Sequence, residues 1–266
     1  MTPERRRELE RLADLNLVAM IRHRMRTTAG ARFQEEEGAL LYSVGRPVAS
    51  AHLNGVLILD AGADAGTLLA RARRFFGPSS VEFVIWVRDV DDADLEAGLR
   101  GAGLVATREP GIPCMFIERP FDDVAPPEDI ELRRVQDIGD AEDYARVVTT
   151  AFELEEEVAR AVFAGRECLL APHVAAFVAR HRGVPVAAAL ILLADSVAGL
   201  YYVGTVPDAR GRRLGELCTR AATNVGFAMG ARTVVLQASI MGEPLYRKMG
   251  YELLRYYRWY RPPAGW

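Results

Sequence analysis

A turn rich in arginine and glycine joins an apolar run to a long helical pattern in the C-terminal part of the chain. The turn, at residues 210–215, reads RGRRLG; the apolar run covers 200–206, and apolar residues recur behind the turn at helical spacing. The first amides of a helix have no partner within the helix, and the helix dipole is positive at that end. Together with the arginines these amides would bind an anion, so we expect a ligand that carries phosphate.

Two familiar phosphate-binding patterns do not fit this turn. A P-loop requires Lys followed by Ser or Thr after its glycines, whereas Arg213 and Leu214 stand there. A dinucleotide-binding loop requires glycines in the order G-x-G-x-x-G, a spacing that Gly211 and Gly215 do not provide. The turn therefore indicates a different phosphate ligand, or else only a helix start with exposed arginines.

A tyrosine after this helix is the second candidate for chemistry. The run at 233–238 predicts a buried strand, and residues 242–250 predict a short helix that carries Tyr246 and ends on Gly250. The order along the chain is thus strand, loop, helix, strand and short helix with a tyrosine.

This order and its spacing resemble the GNAT superfamily of N-acetyltransferases. The pyrophosphate loop of that family is written Q/R-x-x-G-x-G/A; Arg210 and Gly215 match it, while Arg213 replaces its middle Gly. The segment PLYRKMGY at 244–251 resembles the short helix on which a Tyr precedes a Gly-aromatic pair. Ser239 stands where many members of the family have Asn.

The resemblance implies an enzyme that moves an acetyl group from acetyl-coenzyme A directly to an amine of a small molecule, protein or peptide. Such a reaction needs no Ser or Cys nucleophile. Tyr246 would act as the general acid towards the departing thiolate, since a phenol with a pKa of about 10 is protonated at neutral pH. The strand at 200–206 would separate from its neighbour and expose backbone donors. The expected coenzyme-binding residues are Val203, Thr205, Val206, Arg210, Gly211, Arg212, Arg213, Leu214, Gly215, Glu216 and Ser239.

The acceptor and the general base are not identified by the sequence. The glutamates at 153–157 border the expected acceptor site and could attract a cationic amine, although such a run more often forms a solvated helix face. Tyr201 and Tyr202 should point to opposite faces of their strand, so that one of them reaches the cleft.

Two other functions are compatible with the same residues. A non-catalytic acyl-coenzyme A sensor or binding module is favoured by the changes at Arg213 and Ser239 and opposed by the intact Tyr246. A transferase for a longer acyl chain is the second alternative, because the shape of the cavity decides chain length.

The composition is that of an ordinary globular protein. The chain has 266 residues, half of them hydrophobic, and a net charge of −3, which gives no reason to expect nucleic acid or membrane as a partner. No apolar run is long enough for a membrane span, and the charged N-terminus lacks an apolar signal core. Three dispersed cysteines without metal-ligand spacing indicate reduced thiols, so we expect a cytoplasmic protein without a metal.

The elements predicted along the chain form two similar series. The first contains a helix at 3–25, strands at 38–44 and 48–59 around a turn at 45–47, a helix at 64–76, a strand at 82–87, a helix at 94–101 and two strand candidates within 104–118. The second contains a strand at 131–135, helices at 141–152 and 154–164, a hairpin of 173–181 and 184–194, and the elements described above. The aromatic tail at 251–260 should form a pair of closing strands.

We therefore predict an α/β protein (α+β in some classifications) with two GNAT-like halves, each a mixed, mostly antiparallel sheet flanked by helices. Residues 1–120 would be a degenerate GNAT-like domain, 121–130 a linker and 131–266 the catalytic domain. The hairpin sequences GRPVA at 45–49 and GVPVA at 183–187 correspond, and Leu99 takes the place of Tyr246. The acidic turn DAGAD at 60–64 replaces the arginine-rich loop and would repel phosphate. The first half could cover the acceptor cleft, form the surface of a homodimer, or support the fold.

Overall fold

The protein has a mixed α/β architecture, as predicted from its sequence. A computed structural model describes residues 1–46, 48, 51–79, 81–263 and 266. The strands are β1 (Arg32–Glu36), β2 (Ala39–Ser43), β3 (Asn54–Ile58), β4 (Val84–Arg88), β5 (Val105–Ala106), β6 (Ile112–Ile117), β7 (Ile130–Arg134), β8 (Val174–His181), β9 (Val184–Ala194), β10 (Val197–Thr205), β11 (Thr233–Gln237) and β12 (Glu252–Arg261). The α-helices are α1 (Pro3–Thr27), α2 (Ala65–Phe76), α3 (Ala93–Gly101), α4 (Ile138–Phe152), α5 (Glu156–Phe163), α6 (Arg166–Leu169), α7 (Leu214–Ala228) and α8 (Glu243–Met249).

The strands differ from the prediction near both ends of the chain. The strand β1 was missed because its sequence, RFQEE, is largely polar and lies exposed at the edge of the sheet, where no apolar alternation is required. The aromatic tail forms the single strand β12 rather than a pair of strands, because its ten residues run without a turn between two neighbouring strands.

The described strands form one sheet. The last strand of the first half, β6, pairs with β11 of the second half, and the last strand of the second half, β12, pairs with β4 of the first half. The order is β1-β2-β3-β4-β12-β6-β11-β10-β9-β8-β7, and β5 pairs with β12. Trp259 of β12 lies opposite Trp86 of β4, and Met115 of β6 lies opposite Leu236 of β11. The sheets of the two halves are thus continuous through β12 and β6. The assignment of domain boundaries at 121–130 stays a prediction.

The helices cover both faces of the sheet. One face is covered by α1 together with α4, α5 and α6, whose apolar residues share one core. On the other face, α2 and α3 pack over the first half, and α7 and α8 pack over the second. A buried amide fixes α1 in this position: Asn16 Nδ2 donates to the carbonyl oxygens of Leu192 at 3.1 Å and Val197 at 2.9 Å.

The helices α3 and α8 end in the same way, which supports the predicted correspondence of the halves. Leu104 N donates to Leu99 O, and Tyr251 N donates to Tyr246 O, each at 3.0 Å. The intervening Gly103 and Gly250 have φ angles of 85° and 93°, a left-handed conformation that favours glycine. The predicted correspondence of the two hairpin turns includes Pro47 and Ala49, which lie outside the described residues.

Among the described helices, none combines the length and the apolar character needed to cross a membrane.

Candidate functional site

The strands β10 and β11 separate at their carboxyl ends and leave an opening in the sheet. They pair in parallel only from Val197 opposite Thr233 to Leu200 opposite Leu236, whereas β10 continues to Thr205. The register of β10 against β9 shifts between Tyr201 and Gly204, and Tyr202 has a φ angle of 50°. A bulge of this kind bends its strand, so it accounts for the divergence of β10 from β11.

The backbone of β10 offers one of the two amides that the sequence predicted there. Val206 N donates to Val186 O at 2.9 Å, so the Val206 amide is already used within the sheet. Thr205 lies opposite Ala187 in the same antiparallel ladder. Because backbone groups alternate in direction along such a ladder, the Thr205 amide faces the opening instead.

The arginine-rich loop ends in free amides at the start of α7. The first hydrogen bond that reaches back into the loop runs from Leu217 N to Arg213 O at 3.0 Å. The amides of Leu214, Gly215 and Glu216 therefore lack a partner within the helix. Arg213, immediately before the helix, has a φ of 60° and a ψ of 20°. This is the left-handed conformation that glycine adopts without strain.

Two arginine side chains of the loop, those of Arg212 and Arg213, are held by acidic neighbours at the protein surface. Arg213 Nε and Nη2 each donate to Glu216 at 3.0 Å, and Arg220 binds the same carboxylate. Arg212 donates to Asp129 at 2.7 Å. The hydrogen bonds from Arg213 and Arg220 keep the pKa of Glu216 below its usual value despite burial. The Arg213 side chain is 74% exposed, so this pairing leaves it open to solvent and to a ligand.

The loop, the end of β10 and the helix α8 meet at Gly215. A methyl group added to Gly215 would lie 3.5 Å from Thr205 Oγ1 and 3.8 Å from Leu245 Cδ2. The predicted anion-binding loop therefore borders both the opening in the sheet and the helix that carries Tyr246.

Tyr246 is a buried phenol whose hydroxyl has no hydrogen-bond partner among the described residues. Its ring packs edge-on against Tyr251, with 5.7 Å between ring centroids. A side chain at position 242 would lie 2.9 Å from Tyr246 Cε2, so Gly242 leaves room for the ring. Burial raises the pKa of Tyr246 well above its ordinary value, and the phenol is therefore protonated across the physiological range.

Ser239 lies just before α8 and accepts a hydrogen bond from the residue that precedes the helix. Gly242 N donates to Ser239 Oγ at 3.0 Å, so one lone pair of the hydroxyl is engaged. The hydroxyl hydrogen of Ser239 remains available to a ligand.

The expectation that Tyr201 and Tyr202 point to opposite faces was wrong. The bulge in β10 turns both side chains to the face covered by α1 and α4. The Tyr201 hydroxyl donates to Asn16 Oδ1 at 2.7 Å, and the Tyr202 ring lies edge-on to Phe163 at 4.5 Å between centroids. The Tyr202 hydroxyl accepts a hydrogen bond from Arg24 of α1.

Arg24 is a buried cation at this face that the sequence reasoning missed. It is 3% exposed and lies in the buried stripe of α1, one turn after Met20 and Ile21. A charged residue at a core position of an amphipathic helix is the signal that could have revealed it. The four glutamates at 153–157, by contrast, are solvated: all are exposed, and the side chains of Glu156 and Glu157 are 80% and 85% exposed.

The cysteines do not supply a nucleophile. Cys114, Cys168 and Cys218 are buried and unpaired, and burial raises the pKa of their thiols to about 12, 11 and 12. Their thiols are therefore protonated at neutral pH and unreactive.

Comparison with known proteins gives a match to one family model. Residues 141–251 match the model of the acetyltransferase (GNAT) family. The match includes β8 to β11, the arginine-rich loop and Tyr246. No curated protein matches the chain significantly.

Solved structures with a similar fold extend the comparison beyond that domain. A GCN5-related N-acetyltransferase from Kribbella flavida is 22% identical with a TM-score of 0.72, covering 96% of this chain and 95% of its own. A tandem GNAT protein from the clavulanic acid biosynthesis pathway is 15% identical with a TM-score of 0.64, covering 96% and 94%. A GCN5-related N-acetyltransferase from Sphaerobacter thermophilus is 17% identical with a TM-score of 0.62, covering 86% and 81%. At these identities the likeness shows a shared fold across both halves.

Proposed function

We propose that the protein is an N-acyltransferase that transfers an acetyl group from acetyl-coenzyme A to an amine at a single site in its second half. The observation that carries this proposal is the convergence at Gly215 of a helix start with free amides, an opened sheet and the helix of Tyr246. An anion-binding helix start beside a gap between strands suits a long ligand with phosphate at one end.

Groups at the start of α7 and at the end of β10 suit the parts of the coenzyme. The amides of Leu214, Gly215 and Glu216 would bind the pyrophosphate, with charge added by the loop arginines. The Thr205 amide, which faces the opening, would bind the pantetheine arm. Val203, Val206, Arg210, Gly211 and Ser239 complete the proposed contact set. Close approach at Gly215 is possible because no Cβ projects towards Thr205.

Tyr246 is the proposed general acid. The amine nitrogen attacks the thioester carbonyl, the C–N bond forms, and the C–S bond breaks to leave a thiolate. The Tyr246 hydroxyl gives its proton to that sulfur and is later reprotonated by solvent. Its raised pKa keeps Tyr246 protonated, as a general acid must be, before the thiolate forms beside it. The acceptor amine loses its own proton to bulk or ordered water, since no described side chain is assigned as general base.

An aspartate at the start of α2 opposes an equivalent phosphate site in the first half. Asp64 caps α2, and its carboxylate accepts a hydrogen bond from Thr67 N at 2.8 Å. A carboxylate thus occupies the helix start where the second half offers free amides, and its negative charge opposes a phosphate. We therefore propose one coenzyme site per chain.

Calorimetric titration with acetyl-coenzyme A tests the proposal, with free coenzyme A and longer acyl-coenzyme A esters run in parallel. Saturable binding at one site per chain, followed by release of free thiol when amines are added, is the expected result. Binding without turnover of any amine would favour a non-catalytic sensor, the function compatible with Arg213 and Ser239. A preference for longer esters would indicate a different acyl chain. Absence of binding at millimolar ligand would refute the coenzyme site itself.

A further inference from the structure

Arg24 is a buried cation without an anionic partner among the described residues. Its Nη1 donates to the Tyr202 hydroxyl, and its guanidinium carbon lies 5.8 Å from the centroid of the Tyr42 ring. The side chain forms no ion pair with any described carboxylate, and Nε and Nη2 lack hydrogen-bond partners although both are buried. Two of the three guanidinium nitrogens are thus left without the contacts that a buried cation requires.

Such an arrangement lowers the stability of the protein. A buried cation is normally paired with a carboxylate, because moving an unpaired charge out of water costs free energy. An apolar residue at position 24 would fit the stripe of α1 that contains Leu17, Met20 and Ile21. An unpaired arginine there is explained if an anion from outside the chain completes its contacts during function.

The position of Arg24 connects it to the proposed acyl site. Its partner Tyr202 lies in the bulge of β10, at the edge of the opening between β10 and β11. Around Tyr202 stand the rings of Phe152 and Phe163, with centroids 6.0 Å and 4.5 Å from its own. Tyr144, whose buried hydroxyl also lacks a partner, packs against Phe163 at 6.3 Å. The surroundings are therefore aromatic, with unsatisfied donors at their centre.

We propose that Arg24 binds a carboxylate of the substrate beside the reacting acyl group; this inference rests on the proposed acyl transfer. A carboxylate carries one negative charge, which balances the single charge of Arg24, and its two oxygens can accept parallel hydrogen bonds from one guanidinium. A phosphate would bring a second charge into an apolar environment. The carboxylate belongs either to the acceptor, which is then an amine of the amino-acid type, or to the far end of a dicarboxylic acyl group on the coenzyme.

A double variant, Arg24→Met with Tyr202→Phe, separates a binding role from a structural one. Arg24→Met alone would leave the Tyr202 hydroxyl buried and unpaired, so the second change removes both partners of the hydrogen bond. If Arg24 is reserved for a ligand, the ligand-free double variant should melt at or above the temperature of the wild type. A melting temperature lowered by several degrees would make Arg24 a structural residue and overturn the proposal.

Paired ligands then identify the source of the carboxylate. In the acceptor arm, amino acids are compared with their amides in thiol release from acetyl-coenzyme A. In the donor arm, succinyl-coenzyme A is compared with butanoyl-coenzyme A in equilibrium binding. We expect the wild type and Tyr202→Phe to prefer the carboxylate in one arm by about tenfold to a hundredfold, the value of a charge-assisted hydrogen bond. The double variant should lose that preference.

The proposal would be overturned if the wild type showed equal thiol release with amino acids and their amides and equal affinity for the two acyl-coenzyme A esters. A preference for the carboxylate that survives in the double variant would also overturn it. Failure of the proposed function gives a different result, in which no acyl-coenzyme A binds at all. In that case thermal melts with free amino acids and glutarate still decide the question. A carboxylate that raises the melting temperature of the wild type and not that of the double variant supports the site. If no carboxylate has this effect, the site is refuted.

Discussion

The two tyrosines at the end of α8 should respond in opposite ways to loss of the hydroxyl group. Tyr246 and Tyr251 are both buried, and their rings contact each other. The Tyr251 hydroxyl is hydrogen-bonded to Thr223 Oγ1 at 2.7 Å, whereas no described residue binds the Tyr246 hydroxyl. Replacement of either tyrosine by Phe removes one oxygen and leaves the ring in place, so the pair forms a matched experiment.

The magnitudes follow from these contacts. Tyr246→Phe removes no hydrogen bond within the protein and leaves no described group unpaired, so the free energy of unfolding should change by less than about 1 kcal/mol. A general acid contributes about 100-fold to 10,000-fold to a rate, and kcat should fall within this range while coenzyme affinity stays unchanged. Tyr251→Phe leaves the fully buried Thr223 hydroxyl without its partner and should cost about 1–3 kcal/mol, with kcat nearly unchanged.

Urea unfolding, coenzyme titration and a thiol-release assay on both variants give the three quantities needed: the free energy of unfolding, the coenzyme affinity and kcat. If Tyr246→Phe lowers coenzyme affinity and leaves kcat intact, Tyr246 is a binding residue and the general-acid assignment is refuted. If both variants lose activity equally, the hydroxyl of Tyr246 has no special role, because damage to the packing of α8 would explain both results.

Three further predictions concern charge. Arg210, Arg212 and Arg213 replaced together by Ala should weaken acetyl-coenzyme A binding more at low than at high salt in calorimetry; an unchanged affinity would refute phosphate binding by the loop. Asp64→Ala should lower the midpoint of urea unfolding through loss of the α2 cap, and an unchanged midpoint would contradict this capping role. Burial lowers the pKa of His52 to about 3, so only the unfolded chain takes up this proton as the pH falls below about 6.5. The wild type should therefore lose up to about 2 kcal/mol of its free energy of unfolding between about pH 6.5 and 5, and His52→Phe should remove this part of the loss; parallel pH profiles would contradict it.

Local patterns of residues were sufficient to predict most elements and much of the site. The helices α1, α2, α4 and α7 carry apolar residues at helical spacing, and each lies where that spacing indicated. The loop at 210–215 was recognisable because a helix start, two glycines and three arginines adjoin in sequence. Whether these residues bind coenzyme remains a prediction.

Features that depend on distant partners were not predictable in this way. The bulge in β10 appears only when its register against β9 is known, and it alone turns Tyr202 towards Arg24. The use of the Val206 amide by Val186 likewise depends on pairing across a hairpin. Neither the pairing register nor the direction of a backbone amide follows from residue type.

The amino-acid sequence by itself determined the local chemistry of this protein: a positively charged helix start, an acidic counterpart in the first half and a tyrosine on a short terminal helix. Helical and strand periodicity act over a few residues, so these elements could be read in order along the chain. Only the tertiary structure decided that β6 and β12 lie beside the opposite halves in one sheet, and that a cation on the first helix meets an aromatic cluster of the second half. Those arrangements arise from burial and strand pairing between segments more than a hundred residues apart, as for Arg24 and Tyr202, at a separation of 178 residues.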